Sequence, residues 1–344
     1  MKILFLTHRF YPFVGGIEVN SEILATAFQK QGNEVTLVTW TANSENDNYP
    51  FGVVREPSIF QLIKLHKWAD VVYENNPTLQ LSWMGMFFKK PSIIALRTWL
   101  TRIDESIGWQ DSLKKYWLKR ANAVIAISES VRKKSFLNAV VIGNPYRETL
   151  FYKTKASVSE NNFVFIGRLV SDKGADLAIQ AVAEIVKSKE FELTTPVLTI
   201  IGVGDEQNSL EELVMKIGLE GKVVFTGLLK GDTLTTELNK HKYLLVPSRW
   251  EEPFGNVALE GLACGCIPIV SDGGGLPDAV GNAGIVFKRN DLTDFIHSIR
   301  NLLNNKALQE VLARNASIHL ENHKPDYVAS KYLDVIYQAY NSTN

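Results

Sequence analysis

The stretch Ser248-Arg-Trp-Glu-Glu-Pro-Phe-Gly-Asn-Val-Ala-Leu-Glu260 decides the fold of the second half of the chain. It follows the apolar run Tyr243-Leu-Leu-Val-Pro247, which is short and typical of a buried strand. Residues 257–264 then have helical character and end at a glycine, and Asn256 is the predicted N-cap of that helix. The pattern therefore predicts strand, turn and helix, the repeating unit of a doubly wound α/β domain.

The start of this predicted helix is a candidate phosphate site. The amides of residues 255–258 are expected to lack acceptors within the helix, and the helix dipole adds partial positive charge. Glu252 precedes the turn and Glu260 lies about one turn into the helix, so both could meet hydroxyls on either side of a diphosphate. A nucleotide sugar has that layout. A glutamate in a first helical turn is also favourable without a ligand, so either glutamate alone is weak evidence.

The segment Pro247-Ser-Arg-Trp-Glu-Glu-Pro-Phe-Gly255, with Glu252 and Glu260 separated by seven residues, resembles the signature of glycosyltransferase family 4. The resemblance covers nearly the whole chain, from Gly15-Gly16 to Asp272-Gly-Gly-Gly-Leu-Pro-Asp278. It implies the GT-B fold, in which two Rossmann-like doubly wound domains face an interdomain cleft and the last helix crosses back to the first domain. It also implies a retaining, nucleotide-sugar-dependent enzyme.

A second pattern, Phe163-Val-Phe-Ile-Gly-Arg-Leu-Val-Ser-Asp-Lys-Gly174, places two cations directly after a predicted strand. Arginine offers a bidentate fork and lysine a point charge, which suit a diphosphate leaving group. By resemblance, Arg168 and Lys173 bind the diphosphate, Glu252 orients the sugar hydroxyls and Glu260 binds the ribose. An exposed turn with a surface cation would explain the pattern equally well if it stood alone.

The resemblance also assigns glycine-rich and turn positions, which are weaker signals because such residues often serve turn chemistry alone. Gly15 and Gly16 match a loop that closes over the diphosphate and the acceptor. Gly227 and Leu228 match a segment that contacts the base. The remaining predicted donor-binding residues are Phe254, Gly255, Asn256 and Val257.

One position departs from the family pattern. Family members commonly carry a histidine after the fourth strand of the first domain, near the reacting sugar, and Arg97 stands there. We expect Arg97 either to bind an anionic group of donor or acceptor or to balance a nearby carboxylate such as Asp104 or Glu105. His8, just after the first strand, could face the cleft, although a lone histidine is more often structural.

Alternation of short apolar runs with helical segments begins at the first residues and restarts after a polar stretch at 145–162. It predicts a Rossmann-like acceptor-binding domain at residues 1–150 and a Rossmann-like donor-binding domain at 151–322. Residues 323–344 are predicted to form a helix that packs back on the first domain. In each domain ligands are expected beyond the carboxyl ends of the strands.

Composition suits this organisation, since 344 residues with 45% hydrophobic content can form two cores. No apolar run approaches the roughly 20 residues that span a bilayer, and the start predicts a strand instead of a signal peptide. Cys264 and Cys266 are too close for an easy disulfide and have no partners for zinc, so we expect buried thiols in a reducing cytoplasm.

Charge is unevenly distributed, although the formal net charge is zero: residues 1–155 carry +7 and residues 156–344 carry −7. The basic half is expected to face an anionic membrane surface or a phosphate-bearing acceptor. Residues 109–120 predict a helix with aromatic and basic side chains, and Met86-Phe-Phe-Lys-Lys90 repeats that composition. Alternatively, Leu113, Tyr116, Trp117 and Leu118 belong to the core and the lysines form a solvated face.

Together these features predict transfer of a hexosyl residue from a UDP-sugar or GDP-mannose to the hydroxyl of a glycan or lipid-linked acceptor. The expected setting is surface polysaccharide or glycolipid assembly, in the cytoplasm or peripheral at the inner face of the cell membrane. No metal, further cofactor or nucleic-acid partner is expected.

Two other functions remain open, a catalytically silent nucleotide-sugar-binding protein and a GT-B sugar-nucleotide epimerase, although an epimerase would need acid and base residues that are not evident. A nicotinamide oxidoreductase is disfavoured because the first strand lacks a following Gly-x-Gly-x-x-Gly.

Overall fold

The structure, a computed structural model, describes residues 1–13, 15–42, 48–100, 109–154, 160–193 and 195–343, with the backbone alone at 109–111 and 160–161. The chain divides into two compact units. The first contains Met1–Pro145 with His323–Asn344, and the second contains Tyr146–Asn322. The division after Pro145 lies close to the boundary predicted at residue 150.

The first unit is built on a parallel sheet whose strand order is β3-β2-β1-β4-β5-β6-β7. The order reverses between β1 and β4. Its strands are β1 (Lys2–Leu6), β2 (Glu34–Thr39), β3 (Gly52–Arg55), β4 (Val71–Asn75), β5 (Ser92–Leu96), β6 (Ala123–Ala126) and β7 (Val140–Val141). Its helices before the second unit are α1 (Gly16–Lys30), α2 (Ile59–Trp68), α3 (Leu79–Ser82), α4 (Trp109–Arg120) and α5 (Glu129–Ser135).

Both faces of this sheet are covered by helices. Successive side chains along a strand point to opposite sides, so one strand can contribute to a cluster on each face. In β1, Ile3 and Phe5 join a cluster with α1, whereas Leu4 and Leu6 join a cluster with α2. The strand β3 was not predicted. The residues of β7 are exposed at the sheet edge, although the apolar run Val140-Val-Ile142 is of the type expected for a buried strand.

The second unit repeats the design with a parallel sheet of order β10-β9-β8-β11-β12-β13, which reverses between β8 and β11. Its strands are β8 (Glu160–Ile166), β9 (Leu198–Ile201), β10 (Val223–Gly227), β11 (His241–Val246), β12 (Ile267–Ser271) and β13 (Ile285–Phe287). Its helices are α6 (Ala175–Ser188), α7 (Gln207–Lys216), α8 (Gly231–Leu238), α9 (Asn256–Ala263), α10 (Leu276–Val280), α11 (Leu292–Asn304) and α12 (Lys306–Glu321). Its core includes the fully buried Phe163, Leu198 and Leu245.

The last helix, α13 (Pro325–Asn341), belongs to the first unit. Val328, Tyr332 and Ile336 are buried in the same cluster as Phe5 and Tyr73. The fold class predicted from the sequence is confirmed, since the chain forms two parallel-sheet Rossmann-like domains. Within the described part of the chain, no helix combines the length and the hydrophobicity needed to cross a membrane.

Candidate functional site

Lys173 and Glu252, two predicted site residues of the second unit, lie on loops where the strand order of its sheet reverses. The neighbouring strands β8 and β11 are parallel, so their carboxyl ends meet at one edge. The loop at residues 167–174 follows β8, and the loop at residues 247–255 follows β11. Ligands of open parallel sheets bind outside this edge at the point of reversal.

One backbone carbonyl ties these two loops together. The oxygen of Asp172 accepts hydrogen bonds from the amides of Arg249 and Trp250, at 2.8 and 3.1 Å. The hydroxyl of the buried Ser248 lies 3.1 Å from the same oxygen. Because Asp172 precedes Lys173 directly, these bonds fix the lysine relative to the second loop.

Lys173 and Glu252 form an ion pair between the two loops through Nζ and Oε1. Their side chains are only 19% and 16% exposed, so their attraction is less screened than that of a surface pair. Ser248 Oγ lies 3.2 Å from Glu252 Oε1, and Lys173 Nζ lies 5.5 Å from the centre of the Trp250 ring. Oε2 of Glu252 accepts no hydrogen bond from the described residues, which leaves it available to a ligand hydroxyl.

A third loop holds the backbone of Glu252. The amide of Gly275 donates to the carbonyl oxygen of Glu252 at 2.7 Å, and Glu252 forms an isolated β-bridge with Gly274. Gly274 has a φ of +70°, and a Cβ there would overlap the Glu252 carbonyl. The glycine-rich segment after β12 therefore positions the candidate carboxylate.

Helix α9 begins one residue earlier than predicted. Gly255, with a φ of +105°, occupies the N-cap position, and Asn256 is the first helical residue. The N-cap prediction for Asn256 was wrong because the turn requires a backbone conformation that favours glycine. The amide of Ala258 donates to the Gly255 carbonyl at 3.0 Å, so it is not one of the unpaired amides expected here. Val257 lies in the first turn.

Glu260 is partly buried in the second turn of α9. Burial raises the pKa of its carboxyl to about 7, although the positive charge of Arg147 acts in the opposite direction. Its protonation therefore changes near neutral pH. This side chain can accept hydrogen bonds from a diol as a carboxylate and loses part of that capacity when protonated.

The other predicted donor residues have different surroundings. Arg168 is exposed and makes no side-chain hydrogen bond or ion pair with a described residue. Gly227 ends β10 with a φ of +72°, Leu228 is exposed, and Phe254 is buried. Of the predicted donor-binding side chains, Lys173 and Glu252 are the pair that the described structure brings into direct contact.

In the first unit, Gly15 is the N-cap of α1 and Gly16 is its first residue. His8 is exposed two residues after the end of β1, at the carboxyl edge of the sheet. Sequence reasoning missed Glu18, a mostly buried carboxylate in the first turn of α1. Its Oε2 atom lies 2.6 Å from where a Cβ of Gly15 would stand. The signal that could have found it is an acidic residue two positions after the Gly-Gly pair, in the first turn of the predicted helix.

Arg97 is buried among neutral oxygens, not beside a described carboxylate. Its Nε donates to Asn75 Oδ1 at 2.6 Å, and its two terminal nitrogens donate to Asn144 Oδ1, Tyr332 Oη and Tyr73 Oη at 2.9 to 3.1 Å. The predicted role as a ligand-binding cation is not supported, because these bonds point its guanidinium into the unit.

The alternative role for Arg97, balance of Asp104 or Glu105, concerns residues that lie outside the described part of the chain.

Comparison with known proteins identifies relatives of the chain. Residues 146–319, half of the chain, match the family model for glycosyl transferases group 1. An uncharacterized glycosyltransferase of Methanocaldococcus jannaschii is 26% identical over 345 residues, covering 92% of each protein. A D-inositol 3-phosphate glycosyltransferase of Salinispora tropica is 28% identical over 57% of this chain, which spans only 42% of that relative.

Among solved structures, Anabaena HepE in complex with UDP superposes with a TM-score of 0.80 at 18% identity, covering 98% of this chain and 100% of that one. This structural similarity shows that the chain has the same fold as HepE.

Proposed function

The chain belongs to the glycosyl transferases group 1 family, and on that premise we propose that it is a retaining glycosyltransferase of family 4. It moves a hexosyl residue from a UDP-sugar or GDP-mannose to an acceptor hydroxyl. The observation that carries this proposal is the contact between Lys173 and Glu252 at the carboxyl edge of β8 and β11. It places a cation suited to a diphosphate beside a carboxylate suited to sugar hydroxyls.

In this proposal Lys173 and Arg168 stabilise the diphosphate as it leaves. The reaction breaks the bond between the anomeric carbon and a phosphate oxygen, so negative charge develops on the diphosphate. Lys173 is already held by Glu252 and by the loop around Asp172, so little reorganisation is needed when a donor binds. Arg168 is exposed and is free to turn toward the phosphates. The amino terminus of α9, flanked by Gly255, adds partial positive charge.

The two glutamates recognise the two sugars of the donor. Oε2 of Glu252 accepts a hydroxyl hydrogen bond from the transferred hexose, while Oε1 stays with Lys173 and Ser248. Glu260, one turn into α9, accepts hydrogen bonds from the ribose. Gly227 and Leu228 present backbone groups to the base at the end of β10.

No protein nucleophile is required. The acceptor oxygen attacks the anomeric carbon from the side of the leaving group, and the departing phosphate oxygen takes the acceptor proton. Catalysis then rests on positioning and electrostatic stabilisation. We propose that the reaction needs no metal, and that Gly15, Gly16 and His8 of the first unit lie toward the acceptor.

The relatives favour a nucleotide donor without identifying the acceptor. UDP in the HepE complex supports a uridine nucleotide as the first ligand to test. We propose a glycan or lipid-linked acceptor and a role in surface polysaccharide or glycolipid assembly on the cytoplasmic side of the membrane.

A two-step experiment tests this function. Thermal unfolding is measured with UDP-hexoses, UDP-N-acetylhexosamines and GDP-mannose, because a ligand specific for the folded state raises the melting temperature. Release of nucleoside diphosphate is then measured with glycan and lipid acceptors, with and without EDTA. Stabilisation by one donor with EDTA-resistant release is the expected result. Binding without release or hydrolysis would favour the silent binding protein, and no stabilisation by any donor would contradict the proposal.

A further inference from the structure

Two segments of the first unit expose large apolar side chains beside cations. The first comprises the 3₁₀ turn Trp83–Met86 and the residues up to Lys90, where Met86 and Phe87 are 49% and 70% exposed. The second is α4, where Leu113 and Tyr116 are 43% and 56% exposed. These four residues, with Lys89, Lys90, Lys115, Lys119 and Arg120, are named the basic apolar face.

The two segments are neighbours in space. Met86 and Lys90 line the same cavity of about 140 Å³ as Trp117 and Arg120. Trp117 anchors α4 to the sheet, because its Nε1 donates to the buried Glu74 of β4 at 2.8 Å.

The sequence left open whether the apolar residues of α4 form core or surface. The structure divides them: Trp117 and Leu118 are buried, while Leu113 and Tyr116 share the outward stripe of the helix with Lys119 and Arg120. The alternative that these residues belong to the core is correct for Trp117 and Leu118 and wrong for Leu113 and Tyr116.

Within the described part of the chain, the lysines of this face lack acidic neighbours that would pair with them. Lys89, Lys90, Lys115 and Lys119 have no ion-pair partner among the residues that the structure describes. From residue 113 to residue 120 the sequence contains four cations and no acidic residue. Arg120 contacts the Tyr116 ring, which is an interaction with a neutral group. The face is therefore positively charged and apolar together.

We propose that the basic apolar face docks the first unit onto an anionic lipid bilayer. Met86, Phe87, Leu113 and Tyr116 enter the boundary between headgroups and acyl chains, and the lysines bind lipid phosphates. A bilayer supplies both an apolar phase and a layer of negative charge, whereas a soluble polyanion would leave the apolar side chains exposed. This inference does not depend on the proposed reaction.

Sedimentation with vesicles tests the inference directly. The full chain is incubated, without nucleotide, with phosphatidylcholine vesicles that contain or lack phosphatidylglycerol. We expect binding to the anionic vesicles that weakens as salt rises, because surface charge interactions are screened. Met86→Ser with Phe87→Ser, and separately Lys89→Glu with Lys90→Glu, are each expected to weaken vesicle binding about tenfold or more.

Matched changes elsewhere serve as controls. Ile318→Ser removes an exposed apolar side chain of α12, and Lys216→Glu with Lys306→Glu reverses two exposed charges of the second unit. Both controls should bind vesicles like the unaltered chain. Equal loss in controls and test variants, or no binding of the unaltered chain to anionic vesicles, would overturn the inference. So would light scattering that finds a dimer abolished by Phe87→Ser, since a second copy would then cover the face.

Donor-induced stabilisation is measured on the same proteins. It should be unchanged in the face variants, so failure of membrane docking and failure of the proposed reaction give separate results.

Discussion

At the scale of single residues, the candidate site in the second unit is defined by the fixed positions of two charged side chains. Lys173 is paired with Glu252, and its position is fixed by bonds to the neighbouring Asp172 carbonyl. A cation that is already oriented stabilises a leaving diphosphate without the cost of reorganising solvent or side chains. Substitution of Lys173, measured by both activity and thermal unfolding, therefore tests whether this lysine acts in catalysis or only in folding.

We expect Lys173→Met to lower kcat by about 10²–10³, the range found when one preorganised charge donor is lost. Lys187→Met is the control, because Lys187 pairs on the surface of α6 with Glu184 at 2.9 Å. Nucleoside diphosphate release and thermal unfolding are measured on both variants. A Lys173→Met protein that folds and retains full kcat would contradict the assigned role.

Glu260 gives the site a dependence on pH. Burial raises the pKa of its carboxyl to about 7, so the carboxylate that we propose as the acceptor of ribose hydrogen bonds forms mostly above neutrality. Affinity for a nucleotide sugar should rise about tenfold from pH 6 to pH 8, because most of the carboxyl is protonated at pH 6. A nucleotide sugar is chosen because its diphosphate diester does not titrate in this range. Calorimetry should find this slope lost in Glu260→Gln, and an equal slope in both proteins would exclude Glu260 as its source.

At the scale of elements, glycines allow the loops to approach. Gly174 has a φ of +73°, and a Cβ there would overlap the carbonyl oxygen of Pro247 in the neighbouring loop. Gly218, after α7, has a similar φ of +75° and no atom within 4 Å of such a Cβ. Alanine substitutions at these two positions therefore distinguish the free-energy cost of the left-handed backbone conformation from that of steric overlap with Pro247.

Gly218→Ala is expected to destabilise the protein by about 1–2 kcal/mol, the cost of a left-handed residue with a side chain. Gly174→Ala should cost more, and it should also weaken donor binding because the two loops must separate. Thermal unfolding and donor titration of both variants check this. Equal losses of stability with unchanged donor affinity would show that close approach of the loops is unimportant.

Strands and helices could be predicted from the sequence wherever the hydrophobic pattern alone determines the type of element. Buried parallel strands are short apolar runs in sequence, so β1 and β11 could be predicted. Helices followed by a glycine could be predicted because glycine marks the carboxyl end of a helix. β3 was missed because Gly52–Arg55 contains only two adjacent valines and makes one edge of the sheet. The N-cap of α9 was misplaced because Gly255 has a φ of +105°, a conformation that the residue pattern alone does not reveal. The resemblance assigned Lys173 and Glu252 to one donor site, but their direct ion pair was not predicted, because local pattern does not show contacts between residues distant in sequence.

At the scale of the whole molecule, the chain builds two units of the same class and then returns its last helix to the first. Helix α13 is held there by its apolar stripe and by a buried polar contact. Arg97 Nη1 donates to Tyr332 Oη at 2.9 Å, and the guanidinium lies over the Tyr332 ring. The residue that departs from the family pattern thus joins α13 to the ends of β4 and β5.

We expect Arg97→Ala to destabilise the first unit by about 2–4 kcal/mol, because it leaves several buried oxygens without a donor. Hydrogen exchange should rise in α13 before it rises in α6 of the second unit. Tyr332→Phe removes one of these bonds and should cost about 0.5–1.5 kcal/mol. Tyr337→Phe, on the same helix, is the control, since Tyr337 is 38% exposed and its hydroxyl donates to Asn33 Oδ1 at 3.2 Å, away from Arg97. If Arg97→Ala left exchange in α13 unchanged, apolar packing alone would hold the helix, and Arg97 would again be a candidate for ligand binding.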